Sequence, residues 1–88
     1  MESSQFRDLL NKNNSWPSVY MFKFICPSDA STIAEVEGLF QGKTSDLVMR
    51  ESSNGNYVSF TVKTRVHDAD EVITYYEKAS HIKGLMAL

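Results

Sequence analysis

The chain predicts an α+β fold, with one four-stranded antiparallel sheet covered on one face by two helices. Three observations carry that expectation. A tight-turn signal, Asn54-Gly55, joins two apolar runs, so that Leu47 to Glu51 and Tyr57 to Val66 read as paired antiparallel strands. Period-two alternation runs through Val19–Cys26 and again through Tyr57–Val66. Apolar residues then recur at helical spacing after Asp29 and after Asp68.

Taken in order, the first strand places Tyr20, Phe22, Phe24 and Cys26 on one face and Val19, Met21, Lys23 and Ile25 on the other. The aromatic face is the expected core. Pro27 lacks a ladder donor and Ser28-Asp29 offer caps, so the strand stops and a helix starts near residues 29 to 32. Ile33, Val36 and Leu39 or Phe40 form its stripe, Gly42 its stop, and Lys43-Thr44-Ser45-Asp46 a polar connection. Asn54-Gly55 is expected to make a two-residue turn with positive backbone dihedrals. On the third strand Val58, Phe60, Val62 and Thr64 face inward, while Tyr57, Ser59, Thr61, Lys63 and Arg65 face out. Asp68 and Glu71 are spaced as a capping box, followed by Val72, Tyr75 or Tyr76, and Ala79. The second helix ends near Ser80, and Leu85 to Leu88 suffices only for a brief last strand. The order β-α-β-β-α-β with right-handed crossovers is the ferredoxin-like plan, with strand order 4-1-3-2.

Domain organisation follows from size. A chain of 88 residues makes a single small domain, expected over residues 16–88 and preceded by a polar arm or short helix over 1–15 with Phe6, Leu9 and Leu10 to bury. Apolar residues at 42% and charged residues at 23% are the ordinary globular balance. The net charge of −2 gives no long-range attraction for DNA, RNA or an anionic membrane. A lone cysteine, Cys26, cannot form an intramolecular disulfide, no run of the sequence approaches the length of apolar residues needed to span a membrane, and no secretory leader is expected. A cytoplasmic location is expected.

The octad Ser52-Ser53-Asn54-Gly55-Asn56-Tyr57-Val58-Ser59 resembles the S-S-x-G-x-Y-x-S signature of the YbeD-like family, small bacterial proteins grouped as domain of unknown function 493. Trp16-Pro17, Lys23, Val72, Tyr76 and Met86-Ala87-Leu88 fall where that family has similar residues, so the resemblance covers about Trp16 to Leu88. It implies a ferredoxin-like domain similar to the ACT regulatory domains, which bind amino acids at subunit interfaces, in a bacterial cytoplasm. It implies no established activity. The stretch from Phe40 to Asp46 is shorter than in better-known members, and the N-terminal arm is unlike theirs.

Candidate chemistry is sparse. His67, His81 and Cys26 match no metal spacing, and Glu35, Glu37, Asp68, Asp70, Glu71 and Glu77 read as helix surface and caps. No catalytic residue, metal or cofactor is expected, and the chain reads as a non-enzyme. Tyr57-Val58-Ser59-Phe60 echoes the end of an RNP1 octamer, yet Ser53 and Gly55 stand where a basic residue and an exposed aromatic belong, so RNA binding is the weakest reading. An ACT-like sensor for an amino acid or other small metabolite would use the loop Cys26–Ala30, whose helix amides suit a carboxylate, although no glycine opens it. The leading expectation is a regulatory or adaptor domain that binds a protein partner, or a second copy, through the open sheet face. Val19, Met21, Ile25, Tyr57 and Thr61 would pack against the partner, with Lys23, Lys63 and Arg65 around the rim, and Lys23, Tyr57 and Lys63 are the candidate binding residues. The competing expectation has the N-terminal arm folding back to cover that same face.

Overall fold

The computed structural model describes residues 3–42 and 45–88. In chain order it has α1 (Ser3–Asn13), β1 (Ser18–Pro27), α2 (Ala30–Leu39), β2 (Ser45–Glu51), β3 (Tyr57–Val66), α3 (Ala69–Ala79) and β4 (Met86–Ala87). The strands form one antiparallel sheet in the order β2-β3-β1-β4, which is 4-1-3-2 counted from the other edge. Of the connection expected at residues 43–46, Lys43 and Thr44 lie outside the described residues, and Ser45 and Asp46 begin β2.

The alternation in β1 and β3 becomes a core on one side of the sheet. Phe22, Phe24 and Cys26 of β1 are fully buried with Phe60, Val62 and Val66 of β3, and Val58 is nearly so. Their rings interlock: Phe22 lies 5.4 Å from Phe40 and 5.3 Å from Tyr75, and Phe40 stacks on Tyr75 at 4.9 Å. Each such ring removes about 1.5–3 kcal/mol worth of apolar surface from water, so this cluster is the main source of stability. Among the described residues Thr64 is the single polar one that is deeply buried, and its hydroxyl finds no hydrogen-bond partner.

The helices form the second layer. Asp29 caps α2 by accepting from the Thr32 backbone N–H at 3.0 Å, and Val36 and Phe40 are buried while Ile33 and Leu39 pack at the margin. Asp68 caps α3 by accepting from the Glu71 N–H, and Glu71 reaches back to the N–H of His67, one residue before the usual capping-box partner. Inward from α3 come Ala69, Val72, Ile73, Tyr75 and Ala79.

Two local departures from expectation have clear causes. The β2–β3 connection is wider than a two-residue turn, because within it only Gly55 takes a positive φ (75°) and Asn54 does not. Asn54 instead spends its side chain as a local acceptor for the Ser52 hydroxyl and the Asn56 N–H, while Gly55 N–H bonds Ser52 C=O. The result is a turn over Ser52–Gly55 with glycine at its end. Ile82, expected in a mere connection, is 7% exposed and joins the core.

The N-terminal helix settles the competition for the open face. α1 packs on α3, with Phe6 edge-on to Tyr76 at 5.6 Å, Arg7 paired to Asp70 at 2.7 Å and Leu10 buried in the core. It therefore lies on the helical side and leaves the opposite face of the sheet uncovered. Among the described residues no helix is long and apolar enough to cross a membrane.

Candidate functional site

The uncovered face is assembled row by row from cross-strand partners. Asp46, Lys63 and Met21 align across β2, β3 and β1; Val48, Thr61 and Lys23 form the next row; Arg50, Ser59, Ile25 and Met86 form the third. Val19 faces Arg65 at one end, and Tyr57 faces Pro27 at the other. Large apolar groups stand in solvent here: Val19 is 60%, Met21 47%, Val48 62% and Met86 55% exposed.

Lys23 and Lys63 are diagonal neighbours on adjacent strands, close enough to act on one partner group. Tyr57 is exposed on the same face but two rows from Lys23, a separation of roughly 13 Å at strand rise. The candidates thus divide into a lysine pair and a distant ring. Val48, Arg50 and Met86 also belong to this face and were missed from sequence. The parity of β2 against β3 depends on the length of the connecting turn, and the five residues between Glu51 and Tyr57 were the usable signal.

A second feature is a groove on the helical side, beside the short β4. It has a volume of 730 Å³ and is lined by Phe6, Tyr20, Ile73, Tyr76, Glu77 and Leu85 among others. The Tyr20 and Tyr76 hydroxyls lie 3.3 Å apart at its wall. Burial, reinforced by Tyr20, pushes the ionisation of Tyr76 far upward, so this pair offers neutral hydrogen-bonding groups rather than a base. Nothing in the linear pattern pointed to it, since Phe6 and Tyr76 meet only through the docking of α1.

The remaining candidates are dispersed. Cys26 is wholly buried, and burial followed by the Asp29 charge raises its pKa, the reverse of an activated thiolate. His67 and His81 are exposed at opposite ends of α3. Among the described residues no cluster of His, Cys, Asp or Glu could hold a metal ion. At the start of α2 the site imagined for a ligand carboxylate is taken by the chain's own carboxylate. Asp29 accepts from the Thr32 N–H and from the Ser31 and Thr32 hydroxyls, which lowers its pKa.

This sheet order with helices on one side defines a ferredoxin-like α+β fold. The chain superposes on the ACT domain from the GTP pyrophosphokinase of Chlorobium tepidum with a TM-score of 0.61 at 9% identity, covering 80% of this chain and 96% of that one. It belongs to the family described as "Protein of unknown function (DUF493)", whose family model matches residues 11–88. The H. pylori protein HP0495 is similar over 86% of each chain, with a TM-score of 0.67 and 23% identity. Uncharacterized protein TM1266 from Thermotoga maritima is similar with a TM-score of 0.67 and 14% identity, covering 80% of this chain and 90% of that one. No curated protein matches the chain.

Proposed function

We propose that this chain is a small, non-enzymatic regulatory or adaptor domain that acts by binding a protein through the open face of its sheet. One observation carries the reading: α1, the segment that could have covered that face, packs on α3 instead and leaves Val19, Met21, Val48 and Met86 in solvent. Exposed apolar groups interleaved with Lys23 and Lys63 suit an interface, and Tyr57 extends it toward the hairpin. The experiment is a photo-crosslinking amino acid placed at Thr61, in the middle of the face, and as a control at Glu37 on α2. A partner identified from the native cytoplasm should crosslink at position 61, lose that crosslink on Met21→Glu and rebind in purified form. Equal capture from both positions, or none from Thr61, removes the reading.

The groove supports a second reading, a sensor for an amino acid or other small metabolite, because its apolar walls and hydroxyl pair provide shape and orientation for a compact ligand. A thermal-shift screen separates the two. A ligand at 100 times its dissociation constant adds about 2.7 kcal/mol, or roughly ten degrees in a domain of this size. A hit whose shift disappears on Tyr76→Phe would establish the sensor.

A further inference from the structure

Resting on the reading of the sheet as a protein-binding surface, we infer that its partner presents carboxylates around an apolar centre and is not a second copy of this chain. Among the described residues Lys23, Arg50, Lys63 and Arg65 project from the face with one side-chain carboxylate, Asp46, although the whole chain carries a net charge of −2. The acidic excess lies on the other side of the molecule. Glu35 and Glu37 on α2, Asp8 on α1, Asp68 at the start of α3, and Asp70, Glu71 and Glu77 along it outnumber the cations of these helices, Lys78 with Arg7 and Lys12 of α1, of which Arg7 pairs with Asp70. The fold thus separates charge across its own thickness, with the basic side on the sheet.

The arrangement within the face narrows the partner. Lys63 stands between Met21 and Asp46, Lys23 faces Thr61, Arg50 faces Ser59 and Arg65 faces Val19. Lys63 thus has a carboxylate on one side and an apolar residue on the other, while Lys23, Arg50 and Arg65 each have an apolar or small polar cross-strand neighbour, with Met21 and Val48 on the ground between them. Two copies meeting face to face about a twofold axis would lay the cationic stripe on itself, and like charges in register suppress such pairing. A single-stranded nucleic acid would satisfy the cations, but its bases need rings to stack on, and this face offers Tyr57 alone at one end. An acidic protein segment with apolar residues between its carboxylates fits both components.

The test uses the full chain labelled for amide NMR and titrated with synthetic peptides of equal length that alternate Glu with Leu, Lys with Leu, or Glu with Ser. The Glu–Leu peptide should move the amides of Met21, Lys23, Val48, Thr61 and Lys63, and its binding should weaken with salt and by about tenfold or more in Lys23→Glu/Lys63→Glu. Lys23→Gln/Lys63→Gln, which retains the stems, should lose less, and the other two peptides should bind more weakly. Equal affinity for Glu–Leu and Lys–Leu overturns the inference, as does movement confined to α2 and α3. Tighter binding of oligouridine than of Glu–Leu overturns it in favour of a polyanion. Self-association of the pure chain that disappears in the charge-reversed variant overturns it in favour of a second copy. A Thr61 crosslink to a basic partner would sink this inference and leave the association reading standing, whereas an empty Thr61 crosslink removes that reading itself.

Discussion

The two faces of the sheet are made of alternate residues of the same strands, and they answer to different demands. Phe22, Phe24, Phe60 and Val62 point inward and are all but inaccessible, while their chain neighbours Met21, Lys23, Thr61 and Lys63 point outward. Backbone pairing positions both sets equally. On the inner side, shape is constrained by rings already in contact with Phe40, Tyr75 and Tyr76. On the outer side Val19, Met21, Val48 and Met86 stand about half or more in solvent, so a residue there can be exchanged for recognition with little disturbance of the packing. The difference teaches that exposure of Met21 is not a failure of folding, because the same ladder buries its neighbour Phe22 completely.

The sharpest way to break this comparison is a pair of adjacent truncations. Phe22→Ala should cost about 3–5 kcal/mol by urea denaturation, since a buried ring leaves a cavity. Met21→Ala should cost about 0.5 kcal/mol or less, as surface changes usually do. Comparable losses would mean that the outer face is covered. Next in size is Gly84→Ala. Gly84 holds φ at 81° and a Cβ there would lie 3.1 Å from the Pro27 ring, so loss of about 1–2 kcal/mol is expected, with β4 loosened from β1. Thr64→Val sharpens the contrast from the inner side. It removes a buried hydroxyl without a partner and should raise stability by about 1 kcal/mol, read as a higher urea midpoint at unchanged slope. The smallest effect concerns alkali. Tyr76 ionises later in the folded chain than in the unfolded chain, first because of burial and then because of Tyr20. Its contribution is therefore complete below the ordinary tyrosine value of about 10 and is lost as pH rises beyond it. Tyr76→Phe should flatten the decline in Tm over that range.

Much of this could be read from the chain because period-two alternation is a local signal. Phe22-Lys23-Phe24 assigns its faces without help from elsewhere, and Asp29 and Asp68 announce helix starts three residues before the amides that they accept from. The strand order followed from handedness and connection length rather than from any single residue. What escaped was long-range or side-chain driven. The turn at Asn54 is set by its amide oxygen bonding Ser52 and Asn56, which competes with the backbone conformation that Asn-Gly suggests. The side taken by α1 depends on Phe6 meeting Tyr76 and Arg7 meeting Asp70, residues 70 and 63 positions apart in pairs that no local pattern records. Each lysine of the pair was legible as an outward residue of its own strand, but their company with Val48 and Arg50 required the register of β2.

The brevity of β4 has a kinetic consequence for β1. Leu88 N–H reaches Lys23 C=O, which sets the parity of the strand: the amides of Val19 and Met21 point to the same side, where β4 has already ended. The amides of Tyr20 and Phe22 point the other way, into the ladder with β3. Deuterium uptake along the first half of this strand should accordingly alternate residue by residue, fast at 19 and 21 and slow at 20 and 22, within a segment that is uniformly strand.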